Sequence, residues 1–149
     1  MDVLAPISTI MTDNLTTLLQ DEPLAKAKEL FEKENIHHIP VVGFKKIIGI
    51  LSKTDLLHFM RGSIRGRGDE ILEATRLRAC LVSEIMNKDV FTLQKTDTIF
   101  QALDVFKDNL IHCVPVLEGE VLVGILTPHD IILQVRKEGM QMVDKMVTE

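Results

Sequence analysis

Tryptophan and tyrosine are missing from this chain of 149 residues, and six phenylalanines are the only benzenoid side chains. Platforms for stacking single-stranded bases or gripping sugars are therefore scarce, and an aromatic ligand would have to sit between aliphatic walls. Only two cysteines occur, Cys80 and Cys113, too few for a disulfide framework. No apolar run approaches the roughly 20 residues that span a bilayer, and no signal peptide opens the chain. The expectation is a soluble protein of the reducing cytoplasm. Basic residues are not in excess either: the formal net charge is −5, which argues against the cationic face that nucleic-acid binding requires. No G-x-x-x-x-G-K-[ST] loop is present, so ATP hydrolysis has no support. What the chain does have is 46% apolar residues, enough for a compact body with a real core.

It also has the same short sentence written twice. Residues 49–55 read G-I-L-S-K-T-D and residues 124–130 read G-I-L-T-P-H-D, 75 positions later. Sliding the chain by 75 positions aligns 8–61 with 83–136 without a gap, with identities that include Met11/Met86, Ala27/Ala102, Phe31/Phe106, His37/His112, Pro40/Pro115, Gly49/Gly124 and Asp55/Asp130. An internal repeat of this kind is one supersecondary unit made twice. The first copy reads as an extended run at 15–19, then a helix starting at Asp21-Glu22-Pro23 with Leu24, Ala27, Leu30 and Phe31 on one stripe. Two β-branched runs, 38–42 and 46–51, follow as a hairpin through Gly43-Phe44-Lys45, and Ser52 caps a second helix. The second copy repeats this order: a run at 90–93, a helix at 97–107 behind Thr96, strands at 113–117 and 121–126, and a helix at 128–137 with Pro128 in its first position. Between the copies, residues 61–69 concentrate Gly and Arg as a linker, and 70–79 has the spacing of a short helix. The tail carries Met140, Val143, Met146 and Val147 at helical spacing, a stripe that would pack on the body or on a second subunit.

Each G-I-L sentence is a strand running into a helix with a hydroxyl residue and an Asp three positions apart, the pattern of a capping box. A cap explains Ser52/Asp55 and Thr127/Asp130 by itself, at ~1 kcal/mol each. The same geometry also fits a ligand, because a helix N-terminus can hold a phosphate and a carboxylate can accept from hydroxyls. His37, His38, His112 and Cys113 superficially resemble zinc ligands. They fall at equivalent places in two different copies, and neighbours on a strand point to opposite faces, so a four-ligand site is disfavoured. Arg61, Arg65, Arg67, Arg76 and Arg78 read as a solvated linker or, alternatively, as a fold over a polyphosphate.

Ile10-Met11-Thr12 with Ile85-Met86-Asn87, Ile39-Pro40-Val41-Val42 with Val114-Pro115-Val116-Leu117, and the two G-I-L sentences all recur in register. On these motifs the chain resembles a tandem pair of cystathionine β-synthase (CBS) domains over nearly all of 8–61 and 83–136. The resemblance implies an α/β (α+β) fold of two βαββα repeats packed through their sheets with pseudo-two-fold symmetry. It places repeat 1 at 1–61, a linker at 62–79 that is partly helical, repeat 2 at 80–137 and a tail at 138–149. It implies clefts for an adenine nucleotide (AMP, ADP or ATP), no catalytic residues, no metal and no cofactor beyond that ligand. A homodimer and an unidentified regulated protein are the implied partners, with neither nucleic acid nor membrane. One cleft would hold Thr127, Asp130, Cys113, Thr12, Thr16 and His129; the other, Ser52, Asp55, His38, Asn87, Phe91 and Lys53. Asp would take the ribose hydroxyls, His129 (when protonated) or Lys53 would face the phosphate, and Phe91 would stack on a base where Thr16 could not. If one site alone is used, the expectation is the one containing Asp130. The alternatives are a structural interaction module with empty clefts, a sensor of an S-adenosylmethionine-type ligand and, more distantly, an enzyme.

Overall fold

The architecture, taken from a computed structural model that describes residues 1–61 and 69–148, is a mixture of helices with two three-stranded sheets. A 3-10 turn at Ile7–Thr9 comes first, then β1 (Leu18–Leu19), α1 (Leu24–Lys33), β2 (His38–Gly43), β3 (Lys46–Ser52) and α2 (Lys53–Arg61). After the undescribed stretch come α3 (Asp69–Ala79), α4 (Val82–Ile85), β4 (Leu93–Gln94), α5 (Ile99–Phe106), β5 (Val114–Glu118), β6 (Val121–Leu126) and α6 (Pro128–Thr148). Both sheets have the same plan: a two-residue strand lies parallel to the first strand of an antiparallel hairpin, in the orders β1-β2-β3 and β4-β5-β6.

The chain divides into two compact units that interleave the repeats. One is Thr16–Val90; the other joins Met1–Leu15 to Phe91–Glu149. Each unit thus builds its sheet from one repeat and takes the leading segment of the other. In the unit Thr16–Val90, Leu24 N–H donates to Cys80 O (2.9 Å) and Val82 N–H to Glu22 O (2.8 Å). In its counterpart, Ile99 N–H donates to Ala5 O (3.0 Å) and Ile7 N–H to Asp97 O (2.7 Å), the same two bonds shifted by one repeat. Two cores follow. One gathers Leu18, Leu24, Ala27, Phe31, Ile39, Val41, Leu51, Leu56, Leu77 and Val82; the other gathers Ile7, Leu93, Ile99, Ala102, Val114, Val116 and Leu126.

The leading segments also explain a proline inside each hairpin. Pro40 sits opposite Ile50, and Pro115 opposite Ile125. Ile50 spends its N–H and C=O on Asn87 (2.9 and 2.8 Å), and Ile125 spends its own on Thr12 (2.9 Å each way). The proline across the strand therefore faces a residue whose backbone bonds point the other way, and its missing N–H costs no ladder bond.

Several local expectations shift. The cap of α5 is Thr98, whose hydroxyl accepts from Gln101 N–H while the Gln101 side chain bonds back, and not Thr96. Pro23 is the residue before α1 rather than a member of its first turn. Residues 70–79 are helical, within α3. The last helix does not stop at 137: α6 runs unbroken through Gly139 to Thr148. The Gly- and Arg-rich stretch with Arg65 and Arg67 lies outside the described residues. Of the other arginines, Arg61 is exposed, Arg76 lies 4.5 Å over the Phe59 ring, and Arg78 Nε donates to Ala74 O at 3.3 Å.

Candidate functional site

β6 ends at Leu126 and, after the single residue Thr127, α6 begins at Pro128, which aims the first turn of the helix and the Asp130 side chain at one place. Asp130 Oδ2 accepts from Thr127 N–H (2.8 Å) and Thr127 Oγ1 (3.0 Å), and Asp130 N–H reaches Thr127 Oγ1 at 3.4 Å. This is a reciprocal cap. A third donor comes from 118 residues away: Thr12 Oγ1 donates to Asp130 Oδ1 at 2.9 Å. Thr12 arrives there because its backbone is bridged in both directions to Ile125. Gly124 makes the approach possible, since a Cβ on it would lie 2.5 Å from Met11 Sδ and 3.1 Å from Thr12 O.

Cys113 lies nearby, buried at 7% exposure, with its thiol pKa pushed up to about 12 by burial and secondarily by the negative charge of Asp130. It is a neutral, proton-bearing group beside the carboxylate. His129, between Pro128 and Asp130, is exposed. In the same unit, then, the structure brings together Thr127, Asp130, Thr12 and Cys113, with His129 next along the chain.

The other unit repeats the arrangement with different chemistry. Asp55 N–H donates to Ser52 Oγ at 3.0 Å, shorter than the matching bond of its twin, and Ser52 N–H reaches Asp55 Oδ2 at 3.4 Å, longer than its counterpart. Asn87 is bridged to Ile50 as Thr12 is to Ile125, over a Gly49 whose Cβ would meet Met86 Sδ at 2.5 Å. The Asn87 side chain, however, turns to Asp89, accepting its N–H at 3.0 Å, where Thr12 turned to the Asp. Lys53 N–H donates to His37 O (2.8 Å), and His38 stands opposite Ser52 across the hairpin. Thr16 and Phe91 belong to the unit other than that of the Asp each was expected to face. Thr16 donates its hydroxyl to Glu34, and the Phe91 ring is exposed.

The positioning pair Met11/Gly124, with Met86/Gly49, had no role assigned from the sequence. Its signal was there: all four belong to the identities of the 75-residue register. Among the described residues, no group of three or more His, Cys, Asp or Glu side chains could hold a metal ion. No helix among them is long and apolar enough to cross a membrane.

Comparison with known proteins gives the same motif twice. The family model for the CBS domain matches residues 7–62 and again 82–137. The chain is 30% identical over 125 residues to inosine-5'-monophosphate dehydrogenase from Thermoplasma acidophilum, an alignment that takes in 83% of this chain but 22% of that enzyme. Among solved structures, AcuB from Vibrio cholerae is 27% identical with a TM-score of 0.76, over 94% of this chain and 96% of that one. The fold is also shared with CBSX2 in complex with AMP, at 18% identity and a TM-score of 0.74, over 91% and 98% of the two chains.

Proposed function

The chain belongs to the CBS domain family, and from that premise we propose that it is a non-catalytic regulatory module whose ligand is an adenine nucleotide, AMP foremost. The observation that carries the reading is the convergence of Thr127, Asp130 and Thr12 at the N-terminus of α6. The Asp130 carboxylate accepts both ribose hydroxyls, displacing or sharing the Thr12 hydroxyl. Pro128 has no N–H and that of Asp130 reaches Thr127, so the His129 N–H and the positive end of α6 are left to meet the phosphate, with the His129 side chain beside them. Cys113 and the backbone before β5 form the base side, where a neutral thiol suits an uncharged purine. In the other unit Ser52, Asp55, Asn87, Lys53 and His38 take the corresponding parts, with Lys53 as the cation. AMP is named first because the fold relative CBSX2 holds it.

The ligand acts by population shift, favouring whichever arrangement closes on it, and a regulated protein reads the difference. The test is titration of Asp130→Ala and Asp55→Ala with AMP. Losing charge-assisted bonds to the ribose costs ~1.5 to 3 kcal/mol of binding at a site that is used, or about 10- to 150-fold in Kd. Unchanged affinity in both variants would leave the two boxes as caps and nothing more.

A further inference from the structure

The second hairpin turn is built as its backbone asks. Gly119 takes a left-handed φ of 64°, and the Gln94 side chain fastens it from β4, donating to Gly119 O and accepting from Gly119 N–H at 3.0 Å each. The 75-residue register puts Phe44 where Gly119 stands and Leu19 where Gln94 stands. Both exchanges run against local physics. Phe44 and Lys45 form a two-residue loop between Gly43 and Lys46 with φ 51° and 65°, angles that asparagine and glycine adopt with little strain and a phenylalanine does not. The Phe44 ring offsets none of that strain by packing, because it is fully exposed. Leu19, half exposed, pairs with Val42 beside the turn as Gln94 pairs with Leu117, but its side chain has no group to fasten the turn. The charge reverses as well: Glu118 and Glu120 flank Gly119, whereas Gly43 and Lys45 flank Phe44.

We infer that the tip of the first hairpin is a docking knob: Phe44, with Leu19 on the neighbouring strand and Lys45 at its flank, seats in an apolar, carboxylate-rimmed pocket of a partner protein. A strained residue with no packing inside the chain marks a place where something outside the chain uses the side chain. The fold does not require phenylalanine there, since the same turn in the other repeat is built on glycine. A two-residue turn is a narrow and rigid mount. Protein interfaces concentrate their affinity in a few buried aromatic anchors surrounded by weaker contacts, and Phe44 is presented as such an anchor. Lys45 sets the sign of the rim, because opposite charge steers the encounter and fixes orientation. A bilayer fits poorly: one ring on a chain of net charge −5 lacks the second signal that stable membrane anchoring takes. A second copy meeting the first tip to tip would oppose Lys45 to Lys45.

The inference does not depend on nucleotide binding, and either can fail alone. The isolated chain gives the first test: Phe44→Asn places a residue suited to left-handed φ in the turn, so Tm should rise by roughly 2–4 °C. A Tm that does not rise would remove the strain on which the inference rests and overturn it. The second test is photo-cross-linking in the native cell by the full chain carrying Phe44→p-benzoylphenylalanine. The expected product is a protein joined at an apolar pocket with Asp or Glu on its rim. That protein, purified, should bind Phe44→Asn at least about tenfold more weakly than the wild type. It should also bind Lys45→Glu more weakly, by a margin that shrinks as salt is added. A cross-link to lipid or to another copy, no cross-link at all, or a purified partner indifferent to either substitution would overturn the inference.

Discussion

The carboxylate of Asp130 is engaged by three donors of its own chain, whereas that of Asp55 is held by one long bond from Ser52 N–H among those described. One of the two extra donors traces to the exchange of Thr12 for Asn87 between the repeats and the other to the Thr127 hydroxyl, and together they make the Asp130 site the more pre-shaped of the two. Beside it, Cys113 gives a pH test of the site's dry side. Its folded-state pKa, about 12, stands above the ordinary 9.0. Below 9.0 the thiol is protonated both folded and unfolded, so it leaves stability independent of pH. As pH climbs from 9.0 towards 12 the unfolded thiol ionises first, and the folded state loses ground. Urea midpoints should therefore show wild type falling relative to Cys113→Ala over that window, by on the order of 1 kcal/mol per pH unit. Parallel curves would mean that the thiol is not buried beside Asp130.

Glycine at 124 is what lets a leading segment lie flat against β6, and its twin at 49 does the same against β3. Gly124→Ala drives a methyl into Met11 and the Thr12 carbonyl. The expected loss is ~1–3 kcal/mol of stability with a weaker hold on AMP, because Thr12 moves with its backbone. An unchanged Tm would contradict the close approach. At this scale the sequence was largely legible. β-Branched runs located β2 and β3, their repeat located β5 and β6, and the stripe of Leu24, Ala27, Leu30 and Phe31 located α1. What escaped it were features decided by distant backbone. α4 has four residues and little periodicity of its own. The sequence sets the tail at 138–149 apart from a helix ending at 137, although its spacing is helical too, and α6 runs through both. The first hairpin turn falls within Gly43-Phe44-Lys45 as read, but it is Phe44 and Lys45, not its glycine, that take the left-handed conformation (φ 51° and 65°) that Gly119 takes in the second. A bulky exposed residue holds that conformation against its preference, and nothing in the local sequence announces it.

For the whole chain, the 75-residue register revealed two copies of one unit, and the family assignment followed from motifs that recur in order. The register could not say which leading segment completes which sheet, because both leaders carry the same Ile-Met pattern. The answer is the exchange: residues 1–15 complete the unit of the second repeat, and 80–90 serve the first. That exchange brings Thr12 to Asp130, so the candidate site needs the leading segment 1–15 as well as the second repeat. The central claim is that the folded chain holds an adenine nucleotide without turning it over. Isothermal titration of the wild type with AMP tests it most directly. Saturable heat with a rise in Tm and AMP recovered intact is the result the account predicts; no heat and no Tm shift at millimolar AMP would contradict it.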